Sequence, residues 1–183
     1  SKSIELIDTI LEKIRTESFS LAIVGEFNRG KSKLINALLG QEILPSDVLP
    51  TTATLNRVIF GMTPSVKVVF KDCSQKEVPI KELKQYVTKL TVESEKKASS
   101  IQEVILQYNV EYCRNNVQIF DTPGLNEHGD MDELTISILP YVDAAILVMS
   151  AQAPFAKSEQ NFLETHLLSS DLGRVIFIVN RID

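Results

Sequence analysis

The sequence has no excess of basic residues, and this excludes the broadest class of electrostatic partners. Its 19 Lys and Arg stand against 24 Asp and Glu, a formal net charge of −5 at pH 7. That balance argues against a nucleic-acid-binding surface and against docking on anionic lipid by charge. Cysteine is scarce: Cys73 and Cys113 show no CxxC or metal-ligand spacing. They exclude a thiolate metal site and fit a reducing, cytosolic compartment. No run reaches the roughly 18 apolar residues of a membrane-spanning helix, and the longest, 144–149 and 175–179, have strand length. The first residues, Ser1 to Arg15, are charged and amphipathic, unlike the apolar core of a signal peptide. What is present is 183 residues, 44% of them hydrophobic, enough for one domain with a sizeable core.

Periodicity divides the chain into alternating elements. Ile4, Leu6, Ile7, Ile10, Leu11 and Ile14 fall at helical spacing and predict a leading amphipathic helix. Apolar or alternating runs predict strands over 20–24, 53–60, 66–70, 104–112, 117–120, 144–149 and 174–179. Helical spacing marks 33–39, 81–90, a segment ending at Leu139, and 157–168, while Pro45, Ser46, Asp47 and Pro50 make 41–52 a loop. The polar stretch 91–100, with Lys96 and Lys97, reads as a solvated surface loop. Strands alternating with helices imply βαβ units, hence a three-layer α/β fold around a mainly parallel, buried sheet.

Three motifs carry chemistry. Gly25-Glu26-Phe27-Asn28-Arg29-Gly30-Lys31-Ser32 matches the phosphate-binding pattern G-x-x-x-x-G-K-[ST] in full, between an apolar strand and an amphipathic helix. Its glycines let the backbone wrap an anion with N–H groups inward, and the helix that follows, with Lys33 in its first turn, adds its positive end. Lys31 places a point charge on the β- and γ-phosphates, and the Ser32 hydroxyl ligates Mg²⁺. The pattern therefore predicts a P-loop NTPase fold. Asp121-Thr122-Pro123-Gly124 ends a predicted strand, where a carboxylate holds the metal and the Gly124 N–H meets the γ-phosphate. Asn180-Arg181-Ile182-Asp183 ends the last strand. There a carboxylate at 183 accepts both N1–H and N2–H₂ of guanine, a donor pair adenine does not present. Asn180 can bridge base and P-loop, and the Arg181 stem can lie along the base plane. The three together imply GTP or GDP with Mg²⁺ as ligands.

On these residues the chain resembles a dynamin-like GTPase of bacterial type. The resemblance rests on GEFNRGKS running into Leu-Ile-Asn-Ala-Leu-Leu-Gly, on Ile43-Leu44-Pro45 through Leu49-Pro50-Thr51-Thr52 as a first switch, and on the helix before the first strand. Ser32 and Asp121 also lie 89 positions apart, longer than in small Ras-like GTPases, as the extended insertion of a large GTPase requires. The resemblance implies that Thr52, with Thr51 as the alternative, ligates Mg²⁺ and fixes the attacking water. It also implies self-association through GTPase domains, membrane remodelling through regions beyond this chain, and a cytoplasmic protein peripheral to a membrane. It makes residues 1–183 a partial GTPase domain of a larger protein.

Leu125 stands where Ras-like enzymes carry a water-orienting glutamine, and it offers no hydrogen bond. Phe27 stands where eukaryotic dynamins place a polar P-loop residue. Asn28 and Arg29, together with Lys31 and Thr52, are therefore the catalytic candidates, acting when two domains meet. Glu26 and Glu127 read as solvated carboxylates, His128 as a surface residue, and His166 as packed or facing the helix dipole. Two other readings remain open: an Era- or MnmE-type GTPase of ribosome or tRNA maturation, and a non-catalytic module gated by nucleotide.

Overall fold

The structure, a computed structural model, describes residues 2–46, 54–87, 100–125, 129–153, 155–168 and 174–182. Helix α1 spans Lys2–Thr16, strand β1 Phe19–Val24, α2 Lys31–Leu39, β2 Leu55–Phe60 and β3 Ser65–Phe70. After β4 (Gln75–Val78) and a 3-10 turn come α3 (Lys84–Val87), β5 (Ile101–Tyr108) and β6 (Val117–Asp121). The chain continues through α4 (Gly129–Ile138), β7 (Ala144–Ser150), α5 (Lys157–Phe162) and β8 (Val175–Asn180).

The eight strands form one sheet in the order β4-β3-β5-β2-β6-β1-β7-β8. Strands β6, β1, β7 and β8 run parallel, as the alternation of strands and helices predicts. An antiparallel seam between β2 and β6 joins this half to β2 and β5, themselves parallel, and to the hairpin β3–β4. The result is the α/β architecture expected, its parallel half extended on one side by β2, β5, β3 and β4. Strand β4 is absent from the sequence reading because Gln75-Lys76-Glu77 shows no apolar alternation; only Val78 is buried.

Side chains alternate across the pleat, so the central strands β1 and β7 feed two cores. Ile23, Val58, Ile119, Ile146 and Val148 pack with Ile35 and Leu39 of α2 and with Leu83, Tyr86 and Val87 around α3. Ala22, Val24, Ala145 and Leu147 pack instead with Leu139, Phe162, Leu163 and Leu167. The helical segment expected to end at Leu139 is α4, which begins at Gly129 and passes into a 3-10 turn at Leu139. The helix expected over 157–168 is α only to Phe162 and then widens to a π turn, with Leu168 N–H donating to the Leu163 carbonyl at 2.8 Å.

Helix α1 forms as expected but turns its apolar side outward: Ile7 is 56% exposed and Ile14 69%. A groove of about 1040 Å³ separates its polar side from the sheet. It is tied down by polar contacts, the Lys13 ammonium donating to Asp143 at 2.8 Å and the Asn116 amide to the Thr16 carbonyl at 2.5 Å.

The two thiols differ in environment. Cys113 is fully buried in the core, and desolvation pushes its thiol up to about 11, whereas Cys73 is exposed. Because the thiolate is the reactive species, titration with an aromatic disulfide at pH 8 should modify Cys73 at once. Cys113 should react only on unfolding.

Candidate nucleotide site

The chemistry-bearing segments converge at the C-terminal ends of β1, β6, β7 and β8, the edge where open α/β sheets place their ligands. The loop after β1 folds back across this edge and enters α2 at Gly30, which takes φ +95°. A Cβ there would lie 2.3 Å from Asn180 Nδ2, so only glycine lets the loop pass under the end of β8. Asn28 also holds a left-handed conformation, at φ 59°, which asparagine tolerates better than most residues. Lys31 is 6% exposed, and its ammonium donates to the Gly25 carbonyl at 2.9 Å and the Glu26 carbonyl at 3.0 Å. The loop and the lysine thus form a cationic cradle in front of the α2 N-terminus. Lys33 is exposed on α2, so its side chain takes no part in the cradle's floor.

Asp121 lies fully buried beside this cradle. Its Oδ2 accepts from the Ser32 hydroxyl at 3.0 Å and from Asn56 Nδ2 at 3.4 Å. Its Oδ1 has no hydrogen-bond partner among the described residues. Burial pushes the Asp121 carboxyl above the usual carboxylate range, opposed by the Lys31 charge and by the hydrogen bonds from Ser32 and Asn56. A cation is the natural complement of a buried carboxylate with one free oxygen. Ser32 and Asp121 supply hard oxygen donors that suit Mg²⁺ with bound water and a phosphate.

The segment after β6 is fastened to β1 and to the P-loop. The Thr122 hydroxyl donates to the Ile23 carbonyl at 2.9 Å, and the Leu125 N–H to the Gly25 carbonyl at 3.2 Å. Gly124 passes so close that a Cβ would meet Phe27 N and Cα at 2.8 Å. Leu125 is 3% exposed and belongs to the core.

At the end of β8, Asn180 Nδ2 donates to the Arg29 carbonyl at 2.9 Å, the brace to the P-loop expected of it. Its Oδ1 accepts from the Arg181 N–H at 2.9 Å, and the Arg181 guanidinium donates to Asn28 Oδ1 at 2.6 Å. Arg181 therefore holds the P-loop with its guanidinium, leaving only its stem for a base. Thr51, Thr52, Glu127, His128 and Asp183, like Lys96 and Lys97, lie outside the described residues. The His166 ring lies tilted against Phe162, with centroids 5.4 Å apart, as expected of a packed histidine.

One reading changes. Glu26 is not a solvated carboxylate: it accepts from the Arg29 guanidinium and from the Ser158 hydroxyl. Arg29, a catalytic candidate, is already engaged, since its Nε also donates at 2.8 Å to Glu159, a fully buried residue of α5. Glu159 turns its other oxygen to the Ala156 N–H at 2.9 Å. Three side chains missing from the sequence reading, Thr54, Asn56 and Glu159, are thus part of the site's frame. An isolated polar residue on a strand or short helix carries no local signal of its partner.

The fold and the cradle define a P-loop nucleotide-binding domain. The family model described as the dynamin family matches residues 21–182. The bacterial dynamin-like protein of Nostoc punctiforme is 30% identical over the whole chain, which spans 27% of that protein. An uncharacterized protein of Caldicellulosiruptor is 31% identical, the chain spanning 45% of it. Among solved structures, an oligomerised bacterial dynamin pair aligns over 98% of this chain and 27% of its own, with a TM-score of 0.72 and 21% identity. The chain belongs to the dynamin family, and its domain is a GTPase domain of that family.

Removing Glu159 leaves Arg29 with one carboxylate and Ala156 N–H with none. Glu159→Ala should cost about 2–4 kcal/mol of stability, as losing one partner of a buried ion pair does. Urea unfolding of the two proteins measures it.

Proposed function

We propose that this chain binds GTP with Mg²⁺, hydrolyses it to GDP and phosphate, and does so fastest when two such domains meet across their nucleotide faces. The observation that carries the reading is the junction of Ser32 and the half-satisfied Asp121 beside Lys31 at one edge of the sheet. In this reading Asn28, Arg29, Gly30, Lys31, Ser32 and Lys33 hold the phosphates through main-chain N–H groups and the Lys31 charge. Ser32, Asp121 and Thr52 hold the metal, with Thr51 as the alternative to Thr52. When bound, Mg²⁺ offsets negative charge on the β- and γ-phosphate oxygens. Guanine is read by Asp183, with Asn180 and Arg181 placing it, and the Gly124 N–H faces the γ-phosphate.

The water is held by the Thr52 carbonyl rather than by a side chain at 125, because Leu125 is buried in the core. Lys31 stabilises charge moving onto the leaving phosphate oxygens, and Asn28 adds a dipole. Arg29 contributes only after a second domain draws its guanidinium from Glu26 and Glu159. Charge supplied in this way is worth roughly 10³–10⁵ in rate. The nucleotide-dependent pairing serves membrane remodelling through residues beyond this chain, in a cytoplasmic protein peripheral to a membrane. The similarity to a bacterial dynamin pair described as sensing and tethering membranes supports that setting. Among the described residues no helix is long and apolar enough to cross a membrane.

GTP turnover measured over a range of protein concentrations tests the proposal. The rate per molecule should rise with concentration, and Arg29→Ala should remove the rise while leaving a slow basal rate. A flat rate in the unchanged protein would remove the pairing step, and absence of turnover would leave a nucleotide-gated module.

A further inference from the structure

Four buried polar side chains run in a line from β2 to the P-loop. The Thr54 hydroxyl donates to Asn56 Oδ1 at 3.1 Å, and Asn56 Nδ2 donates to Asp121 Oδ2 at 3.4 Å. The Ser32 hydroxyl completes the line on the same Oδ2 at 3.0 Å. Thr54, Asn56 and Asp121 are 2%, 1% and 0% exposed, so each depends on the others for its hydrogen bonds. The line exists because β2 and β6 pair antiparallel with Asn56 opposite Asp121. Residues opposite one another in such a pair project to the same face.

An amide in this position is costly unless its bonds are made. Two residues along β2, on the same face, Val58 fills the core. A branched apolar residue would fill position 56 equally well, so packing does not account for asparagine. What the amide adds is direction. Two donors meeting on Oδ2 fix the carboxylate plane and leave Oδ1 as the oxygen with no partner among the described residues. Ser32 can keep its proton on Oδ2 while an oxygen lone pair faces a cation, but one donor alone leaves the carboxylate free to rotate about it. Asn56 is the second donor. Thr54, by holding Asn56 Oδ1, sets which end of the amide faces Asp121.

We propose that Asn56, braced by Thr54, is a positioning residue for the divalent cation: it orients Asp121 so that Oδ1 is presented to the cation's bound water. The inference rests on the nucleotide and Mg²⁺ reading above. It also gives the start of β2 a direct link to the metal carboxylate, so the strand that follows the first-switch segment is mechanically joined to the cation.

The test uses a fluorescent GDP analogue bound in EDTA and then titrated with Mg²⁺, for the unchanged protein, Asn56→Leu, Thr54→Val and Thr54→Ser. Asn56→Leu should raise the half-saturating Mg²⁺ concentration about 10- to 100-fold, the usual effect of losing an outer-shell partner, while its GDP affinity in EDTA shifts by less than about twofold. Thr54→Val should move in the same direction by a smaller factor, and Thr54→Ser, which keeps the hydroxyl, should match the unchanged protein. An unaltered Mg²⁺ response in a folded Asn56→Leu overturns the inference, as does an equal loss of GDP affinity in EDTA, which marks general loosening. If Asn56→Leu does not fold, the threonine pair decides: a shift in the valine variant alone supports the inference, and identical responses overturn it. An unchanged protein that binds no GDP overturns the nucleotide reading itself. One that binds GDP with Mg²⁺ dependence, beside an indistinguishable Asn56→Leu, overturns this inference alone.

Discussion

A carboxylate buried at the end of a central strand imposes the main constraint on this domain. That residue, Asp121, has donors on only one of its oxygens among the described residues. Burial alone would favour its protonated form, and the groups that oppose this, Lys31, Ser32 and Asn56, come from the P-loop, the helix behind it and the neighbouring antiparallel strand. Keeping a charge there requires all three elements to hold station. The positions of β2, β6 and α2 are therefore coupled through one side chain as well as through the hydrophobic cores.

Close main-chain packing extends that coupling to the rest of the edge. Gly124 lies against Phe27, Gly30 lies under Asn180, and the Leu125 N–H is bonded to the Gly25 carbonyl. The P-loop is thus gripped from β6 on one side and β8 on the other, while Arg29 anchors it to Glu159 of α5. A ligand that pulls on one of these segments must move the others, because each contact leaves no room for an added methyl group or sits in a buried ion pair. This is the physical content of a nucleotide-sensitive site here: several loops sharing one rigid frame.

What could be read in the sequence and what could not divide along the same line. The phosphate loop, Asp121 and Asn180 were legible because backbone geometry and phosphate chemistry restrict those positions to very few residue types, at fixed local spacing. Strands β1 and β7 were legible as apolar runs because they are buried on both faces, and β8 reads the same way although it exposes Ile176, Phe177 and Val179. Asn56 was not, because its role arises from an antiparallel register with a residue 65 positions away. Glu159 was hidden similarly: a glutamate in a short helix looks solvated until Arg29 is brought to it across 130 positions. Strand β4 escaped because its polar residues form an outer ribbon paired only with β3. Helix α1 was correctly read as amphipathic, yet periodicity cannot say which way the apolar side faces, and here it faces outward.

Selection of a guanine nucleotide together with Mg²⁺ at this edge can be measured by calorimetric titration of the protein with GDP and with ADP, each in Mg²⁺ and in EDTA. GDP binding should strengthen with Mg²⁺, and ADP binding should be far weaker under both conditions. Equal affinity for the two nucleotides would contradict the assignment of guanine, and GDP affinity indifferent to Mg²⁺ would contradict the role given to Asp121.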